Sequence, residues 1–177
     1  FEMIDQRSEI SKVSIQEVEL LRIISLQTFT ETFAHQNTEN DMRKYVSENL
    51  SIEQLSKELN TEGSSFYFLK LINKIIGYLK LNRGSAQTES QNKNSIEIER
   101  IYISQEFHSK GLGILLLNQA IKIAKEQHVN YIWLGVWEEN FKAISFYKKN
   151  GFEQFNTHIF KLGEDEQTDI LMKMNLN

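Results

Sequence analysis

The chain has no cysteine and no proline, and it has no long apolar run. Because cysteine is absent, neither disulfides nor thiolate metal sites can form, which suits a reducing compartment and predicts a cytoplasmic protein. No apolar segment approaches the roughly 20 residues that a membrane-spanning helix needs, and no signal peptide is recognisable. A membrane is therefore not expected as a partner.

Basic residues do not predominate either. Lysine and arginine total 20 against 24 aspartates and glutamates, which gives a formal net charge of −4. A nucleic-acid-binding domain normally carries a basic footprint, so nucleic acid is not an expected partner. The acidic balance is compatible with a cationic substrate.

What is present is enough for one domain. The 177 residues, 40% of them apolar, can close a hydrophobic core of their own. The first eight residues begin with phenylalanine and are expected to be a tail, either a remnant of truncation or a natural extension. Residues 9–177 are expected to form a single domain.

The most informative stretch covers residues 95–127, where a strand pattern changes into a helix pattern. Isoleucines alternate with charged residues in IEIERIYI (96–103), as in a half-buried strand. After the segment HSKGLG (108–113), apolar and small residues share one helix face: Gly113, Leu117, Ala120 and Ala124. The glycines leave backbone N–H groups uncovered. With the positive end of the following helix dipole, this loop is a candidate anion site.

Further blocks make this pattern specific. They are IWLGVWE (132–138), AISFYKKNGF (143–152) and DEQTD (165–169). Together with the loop and the spacing N-x-x-A-x-x-F-Y-x-x-x-G-F (140–152), they resemble the Gcn5-related N-acetyltransferases, with a closer likeness to PaiA-type spermidine/spermine N-acetyltransferases. The resemblance spans residues 9–176.

The fold class predicted by the pattern, and implied by the resemblance, is α/β with a mixed sheet. The expected order is β-α-α-β-β-β-α-β-α-β-β, with helices on both faces of the sheet. Ser14 and Glu17 form a predicted capping box before the first helix, while Thr38 or Asn40 and then Ser51 can begin further helices.

Hairpins are predicted around Asn73-Lys74, with strands 65–72 and 75–81, and around residues 163–165, with strands 151–162 and 167–174. An edge strand is expected over residues 9–13. The polar segment 84–94 is predicted to be a mobile loop within the domain.

The resemblance implies acetyl-CoA as the cofactor. Loop amides would hold its pyrophosphate, and the strand backbone would pair with the pantetheine arm, one N–H polarising the thioester carbonyl. Asn140 could instead be only a helix cap, and Lys110 only a solvated lysine. The predicted cofactor-binding residues are Ile101, Tyr102, Ile103, His108, Ser109, Lys110, Gly111, Leu112, Gly113, Ile114, Asn140, Tyr147 and Lys149. The histidines lack the spacing of metal ligands, so no metal is expected.

Acetyl transfer to an amine needs a base and an acid, because only the neutral amine attacks and the departing thiolate gains a proton. Tyr147 matches the family's tyrosine near the coenzyme sulfur; the alternative is a packing residue. Glu97 and Glu99 project from one strand face, and Glu97 lies where the histone-acetylating branch has its base. Either could act directly or through water, or the two could be ordinary surface carboxylates.

The leading hypothesis for the acceptor is a polyamine, spermidine or spermine. The candidate acceptor-binding residues are Glu31, Asp41, Glu97, Glu99 and Trp137. The alternatives are a protein N-terminus, a lysine or an antibiotic amine, and, in another class, a regulatory module that binds acetyl-CoA without turnover. A homodimer formed through the terminal strands is a further possibility.

Overall fold

The computed structural model describes residues 7–89 and 94–176. Seven strands and five helices of eight or more residues lie within these ranges. In chain order they are β1 (Ser8–Lys12), α1 (Val18–Phe33), α2 (Glu39–Asn49), α3 (Ile52–Leu59), β2 (Ser64–Leu71), β3 (Lys74–Arg83), β4 (Ser95–Ile103), α4 (Gly113–Glu126), β5 (Tyr131–Trp137), α5 (Phe141–Lys149), β6 (Glu153–Leu162) and β7 (Asp165–Asn175).

The seven strands form one mixed sheet in the order β1-β2-β3-β4-β5-β7-β6. Only β4 and β5 are parallel, because helix α4 carries the chain back between them. The predicted fold class is confirmed, but the expected order had one helix too few between β1 and β2, where the structure has three. Among the described residues, no helix is both long and apolar enough to cross a membrane.

Side-chain caps fix where the early helices begin. The capping box of Ser14 and Glu17 is present, with the Ser14 N–H donating to Glu17 Oε1 at 3.0 Å. The Thr38 hydroxyl caps α2 and the Ser51 hydroxyl caps α3, each accepting a backbone N–H at 3.1 Å. These starts are confirmed, and of the two residues proposed to cap the second helix, Thr38 is the one used.

The strand boundaries moved by one or two residues. The β2–β3 turn is Ile72-Asn73, both with positive φ (49° and 63°), so it lies one residue before the predicted turn. β6 and β7 form the second predicted hairpin, with Gly163 (φ 63°) in its turn. Ser8, assigned to the tail, instead begins edge strand β1; residues 1–6 lie outside the described part.

Two cores cover the two faces of the sheet. The predicted apolar face of α4 packs on one side, where Leu117, Ala120 and Ala124 are fully buried. Helices α1 and α3 cover the other side with Leu21, Phe29 and Leu55, against aromatic residues of β2 and β3. This second core also encloses buried charged residues of β3 and β4, which matter for the site.

The sheet opens at its centre. β4 pairs with β5 only over Ser95–Ile98, opposite Tyr131–Leu134. Beyond that point β4 continues along β3, and β5 continues along β7 to Trp137. A bulge leaves Glu99 without a partner on β3, because Arg100 pairs with Lys80 and Ile98 with Leu81. The diverging strands leave a gap between Glu99–Ile103 of β4 and Gly135–Trp137 of β5, which can admit a ligand between the two strands.

Candidate active site

The free edge of β4 lines one side of the gap. The Ser104 N–H donates to Ile76 O at 2.7 Å, which makes Ile103 a residue whose own N–H and C=O point away from β3. By the same alternation Ile101 faces the gap, while the backbone of Tyr102 faces β3. The backbone groups of Ile101 and Ile103 are therefore available to a ligand in the gap, as predicted. The prediction for the backbone of Tyr102 is wrong, because its N–H and C=O face β3 and belong to the hydrogen-bond ladder between β3 and β4.

The glycine loop follows directly at the end of this edge. Ser109 and Gly111 have left-handed backbones, with φ of 62° and 72°. Within the described part of the chain, no backbone N–H from Ser109 to Ile114 donates to another residue. Successive free amides that lead into the first turn of α4 suit a pyrophosphate. We call Ile101, Ile103 and residues 108–114 together the cofactor edge.

Side chains around the loop add fixed contacts and positive charge. The His108 ring binds Ile103 O through Nε2 at 2.7 Å, so it tethers the loop to β4. Lys142 Nζ lies 3.3 Å from Ser109 Oγ. Lys110 lies over the Phe107 ring, and Lys149 is exposed at the end of α5. The sequence-based prediction missed Lys142, whose approach to the loop depends on the docking of α5.

Asn140 caps helix α5. Its Oδ1 accepts the Ala143 N–H at 3.2 Å, and its backbone carbonyl accepts the Ile144 N–H at 3.0 Å. The interpretation of Asn140 as a helix cap is confirmed. Contact between Asn140 and the cofactor stays a prediction.

Tyr147 lies on the inner face of α5, 8% exposed, between the rings of Phe146 and Phe152. Burial raises the pKa of its phenol well above the usual value. Tyr147 is also close enough to Tyr102 of β4 to raise the pKa of that phenol further. Tyr147 therefore keeps its proton throughout the neutral range and lies across from β4.

The two β4 carboxylates lie in opposite electrostatic environments. Glu97 is 3% exposed and accepts the Asn82 amide at 3.0 Å, the Thr88 N–H at 2.8 Å and the Thr88 hydroxyl. Burial raises its pKa, and these hydrogen bonds only partly offset the effect. Burial would also raise the pKa of Glu99, but the charges of Arg100 and Lys80 outweigh burial and lower it. The interpretation as solvated surface carboxylates is wrong, because Glu97 is buried and only 19% of the Glu99 side chain is exposed.

The other candidate acceptor residues lie in different places. Glu31 accepts the Gln105 N–H at 2.6 Å, and Asp41 accepts the Glu164 N–H at 3.1 Å, so each carboxylate holds a loop. Trp137 is half-buried at the end of β5, at the mouth of the gap, opposite Asp169 of β7. Trp137 and Glu97 lie on the same side of the sheet, which we call the acidic face.

A further group on the acidic face was not predicted. His158 Nδ1 lies 2.5 Å from Glu89 Oε1 without hydrogen-bond geometry, and Nε2 lies 3.7 Å from Asp169 Oδ2. Burial, with a smaller contribution from Glu89, raises the pKa of Asp169. Asp169 ends the DEQTD block, which was a usable signal, but only the β6–β7 register brings His158 beside it.

The predicted mobile loop is anchored where the structure describes it. Gln87 Oε1 accepts the Trp133 indole N–H and the Ser95 hydroxyl, each at 2.8 Å, and Thr88 binds Glu97. This part of the prediction is corrected, because the polar side chains fasten the segment across β4 and β5. Residues 90–93 lie outside the described part. Within residues 7–89 and 94–176, no cluster of His, Asp or Glu is arranged to hold a metal ion.

An opened mixed sheet beside a loop of free amides is the arrangement of an N-acetyltransferase. The model of the acetyltransferase (GNAT) family matches residues 26–152, so the chain belongs to that family.

Known proteins extend the likeness over almost the whole chain. An uncharacterized N-acetyltransferase from Lactobacillus delbrueckii subsp. lactis is 40% identical over 168 residues, covering 95% of this chain and 97% of the relative. A spermidine N(1)-acetyltransferase from Thermoplasma acidophilum is 29% identical, covering 84% and 90%. The crystal structure of PaiA N-acetyltransferase from T. acidophilum in complex with coenzyme A has a TM-score of 0.77 at 25% identity, covering 96% of this chain and 99% of that one.

Proposed function

We propose that this N-acetyltransferase uses acetyl-CoA and transfers the acetyl group directly to a primary amine, with a polyamine such as spermidine or spermine as acceptor. The observation that carries the proposal is the gap between β4 and β5, which has free amides at one end and a buried carboxyl and a buried phenol beside it. With no cysteine in the chain, a thiol acyl-enzyme route is closed.

The cofactor edge fits coenzyme A, because its amides from Ser109 to Ile114 have no partner within the described residues. These amides would hold the pyrophosphate, with Lys142 adding positive charge, and the backbone of Ile101 and Ile103 would pair with the pantetheine arm. When bound, acetyl-CoA supplies an activated acetyl group.

Glu97 is the proposed base. A carboxyl with a raised pKa accepts a proton more readily than an ordinary one. Since Glu97 is 3% exposed, the amine does not reach it directly. The Thr88 hydroxyl donates to Glu97 Oε2, so it can pass its proton inward while taking the proton of the amine.

Tyr147 is the proposed donor to the leaving sulfur. A phenol with so high a pKa donates a hydrogen bond strongly but releases its proton reluctantly. Full transfer to a thiolate of ordinary pKa near ~8.5 is uphill. We therefore assign to Tyr147 mainly the stabilisation of negative charge on the sulfur, with the proton following as the thiol forms.

A polyamine acceptor is supported by chemistry and by one relative. The acidic face carries Glu89, Asp169 and Trp137 beside the gap, and carboxylates attract protonated amines. The T. acidophilum relative is a spermidine N(1)-acetyltransferase. Glu31 and Asp41 each use one carboxylate oxygen to hold a loop. Their proposed role in binding the polyamine therefore falls to the other oxygen of each carboxylate.

The test is an acceptor panel. Purified protein is incubated with acetyl-CoA and either spermidine, spermine, a peptide with a free N-terminus, lysine or streptothricin, and thiol release is measured. Release above background with spermidine is expected; release only with another amine would refute the polyamine. Coenzyme A binding without release for any amine would favour the regulatory module.

Location and assembly are part of the same proposal. A cytoplasmic enzyme is expected in the soluble fraction of lysed cells, and a homodimer would have twice the mass of the 20.8 kDa chain. Light scattering of the purified protein decides the second point: a single mass near that of one chain would refute the dimer.

A further inference from the structure

Four charged side chains on the acidic face form a closed ring. Two cations alternate with two carboxylates, and every neighbouring pair is within salt-bridge distance. Lys80 contacts Glu58, and it contacts Glu99 at 3.0 Å; Arg100 contacts Glu58 and Glu99, each at 3.1 Å. We call this set the charge ring.

The ring is largely withdrawn from solvent, although its members come from three separate elements. The side chains of Arg100 and Glu99 are 12% and 19% exposed. Glu58 lies near the end of α3, Lys80 on β3, and Glu99 with Arg100 on β4. Lys80 is 4% exposed and Glu58 8%. Charges so far from water persist only when they are paired, and a ring of two positive and two negative groups is neutral overall.

The bulge in β4 makes the ring possible. Consecutive residues of a regular strand point to opposite faces, so Glu99 and Arg100 could not both lie on the face that α3 covers. The extra residue at Glu99 lets both side chains lie on one face. Bulge and ring therefore support each other, at the point where β4 leaves β5.

The ring gives the two carboxylates of β4 different partners, charged for Glu99 and neutral for Glu97. Glu99 faces two cations and also accepts the Asn82 amide at 2.9 Å, so it stays ionised. Glu97 lies outside the ring, and the hydrogen bonds that it receives from the described residues all come from the neutral groups of Asn82 and Thr88. Environments that shift the pKa values of two carboxyl groups in opposite directions commonly give the two groups different roles in a reaction.

We propose that the charge ring withdraws Glu99 from proton transfer and leaves Glu97 as the carboxyl that takes the proton of the acceptor, with Glu58 and Lys80 as positioning residues. The proposal rests on the proposed acetyl transfer. It also assigns Glu58, a residue of α3 with no motif around it, to the function of the site.

The remaining groups around the ring are neutral at physiological pH. Tyr45, Tyr78 and Tyr102 face Arg100, and burial raises the pKa of each phenol, in Tyr45 to about 12. Gln54 donates to Glu58 at 3.3 Å. Glu89, His158 and Asp169 are further ionisable groups on the acidic face, and the ring substitutions leave all three unchanged. Because the tyrosines and Gln54 beside the ring carry no charge at physiological pH, a change in the charge of the ring acts directly on the pKa of Glu97.

Two substitutions of opposite sign test this. Glu58→Gln leaves the ring with an excess positive charge, and Lys80→Met leaves it with an excess negative one. Titration of Glu97 is followed by carbon-13 NMR on protein labelled at the glutamate carboxyls, with the signal assigned by Glu97→Gln. We expect a downward shift of about one pH unit in Glu58→Gln and an upward shift of similar size in Lys80→Met. A full charge roughly 10 Å away at an effective dielectric near 20 has this effect.

The double variant Glu58→Gln/Lys80→Met restores neutrality and should return the titration of Glu97 close to its original position. The acidic limb of the kcat/KM profile should move in parallel, with whichever amine the panel identifies. As a matched control, Glu39→Gln removes one carboxylate from an exposed pair with Arg43 and should move neither curve.

Shifts in the same direction, or no shift, would overturn the proposal, as would a titration of Glu99 that accounts for the acidic limb. If Lys80→Met does not fold, the downward shift of the Glu97 titration in Glu58→Gln is by itself the test of the proposal. The NMR titration needs no acceptor, so an inactive panel would refute the polyamine while the shifts still test the ring.

Discussion

The cofactor edge and the acidic face meet at β4, yet they are built from different parts of the chain's chemistry. The cofactor edge is made of backbone: the free amides of the glycine loop and the outward N–H and C=O groups of Ile101 and Ile103. The acidic face is made of side chains: Glu97 is fixed by Asn82 and Thr88, and the charge ring lies on the same side of the sheet.

This difference predicts how each region tolerates change. A backbone site survives most substitutions that keep its φ angles, because amides are common to nearly all residues. A buried network of charges depends on every member, since the loss of one leaves another without a partner. Substitutions on the acidic face should therefore affect turnover and stability, whereas those on the cofactor edge should mainly affect cofactor affinity.

The largest effect is expected from Glu97→Gln. Loss of the base should lower kcat by about 10³-fold, within the range of general base catalysis, with coenzyme A affinity unchanged by calorimetry. The raised pKa means that the folded state binds this proton more tightly than the unfolded chain, so ionised Glu97 destabilises the fold at neutral pH. Glu97→Gln should thus unfold at a higher denaturant concentration at pH 7, and this gain should vanish as the pH falls below the ordinary glutamate pKa. Unchanged kcat would contradict the assignment.

Glu99→Gln, on the same strand, should change the stability of the fold at pH 7 in the opposite direction. Its pKa is lowered in the folded state, so its stabilising contribution is complete above the ordinary glutamate value and is lost as pH falls through the folded value. Removing one carboxylate from a buried ion pair costs about 3–5 kcal/mol. Denaturant unfolding at pH 7 should show a loss of this size, smaller at acidic pH; a loss independent of pH would speak against the ring.

Tyr147→Phe should lower kcat by about 10²-fold and leave coenzyme A affinity intact, because only the hydroxyl is removed. Tyr67→Phe, on β2, is a matched control and should leave kcat unchanged. If Tyr147→Phe keeps full turnover, the hydroxyl takes no part in the reaction and Tyr147 serves only to pack α5.

Gly111→Ala probes the cofactor edge. At φ 72° a side chain is strained by about 1–2 kcal/mol, so the loop should lose some of its geometry. We expect roughly a tenfold rise in KM for acetyl-CoA with little change in KM for the amine. A change in KM for the amine alone would contradict the assignment of the cofactor edge to acetyl-CoA binding.

The smallest effect is expected from Asp169→Asn. It removes a negative charge from the acidic face, next to Trp137 and His158, and should raise KM for spermidine by a few fold, as one partly exposed charge contact is worth roughly 1 kcal/mol. KM for acetyl-CoA should not change. Asp165→Asn, in the β6–β7 hairpin of the same block, is the control.

Local signals were read correctly where they act through neighbouring residues. The caps at Ser14, Thr38 and Ser51 and the apolar face of α4 are all present. These features depend on residues within one or two turns of each other, so periodicity and hydrogen-bonding capacity suffice to predict them. The turn at Ile72-Asn73 was placed one residue late, because strand ends carry weaker signals than helix caps.

The sequence by itself determined the fold, the family and the glycine loop, since strand alternation, helix periodicity and free backbone amides are properties of contiguous residues. Only the tertiary structure decided that Glu99 is held by Lys80 and Arg100, the two cations that Glu58 also contacts. The same holds for the contact of Thr88 with Glu97 and for the position of Asp169 beside His158. The reason is physical: the state of a buried carboxyl is set by the charges and donors nearest to it in space. Here most of those groups come from other strands, a helix and a loop.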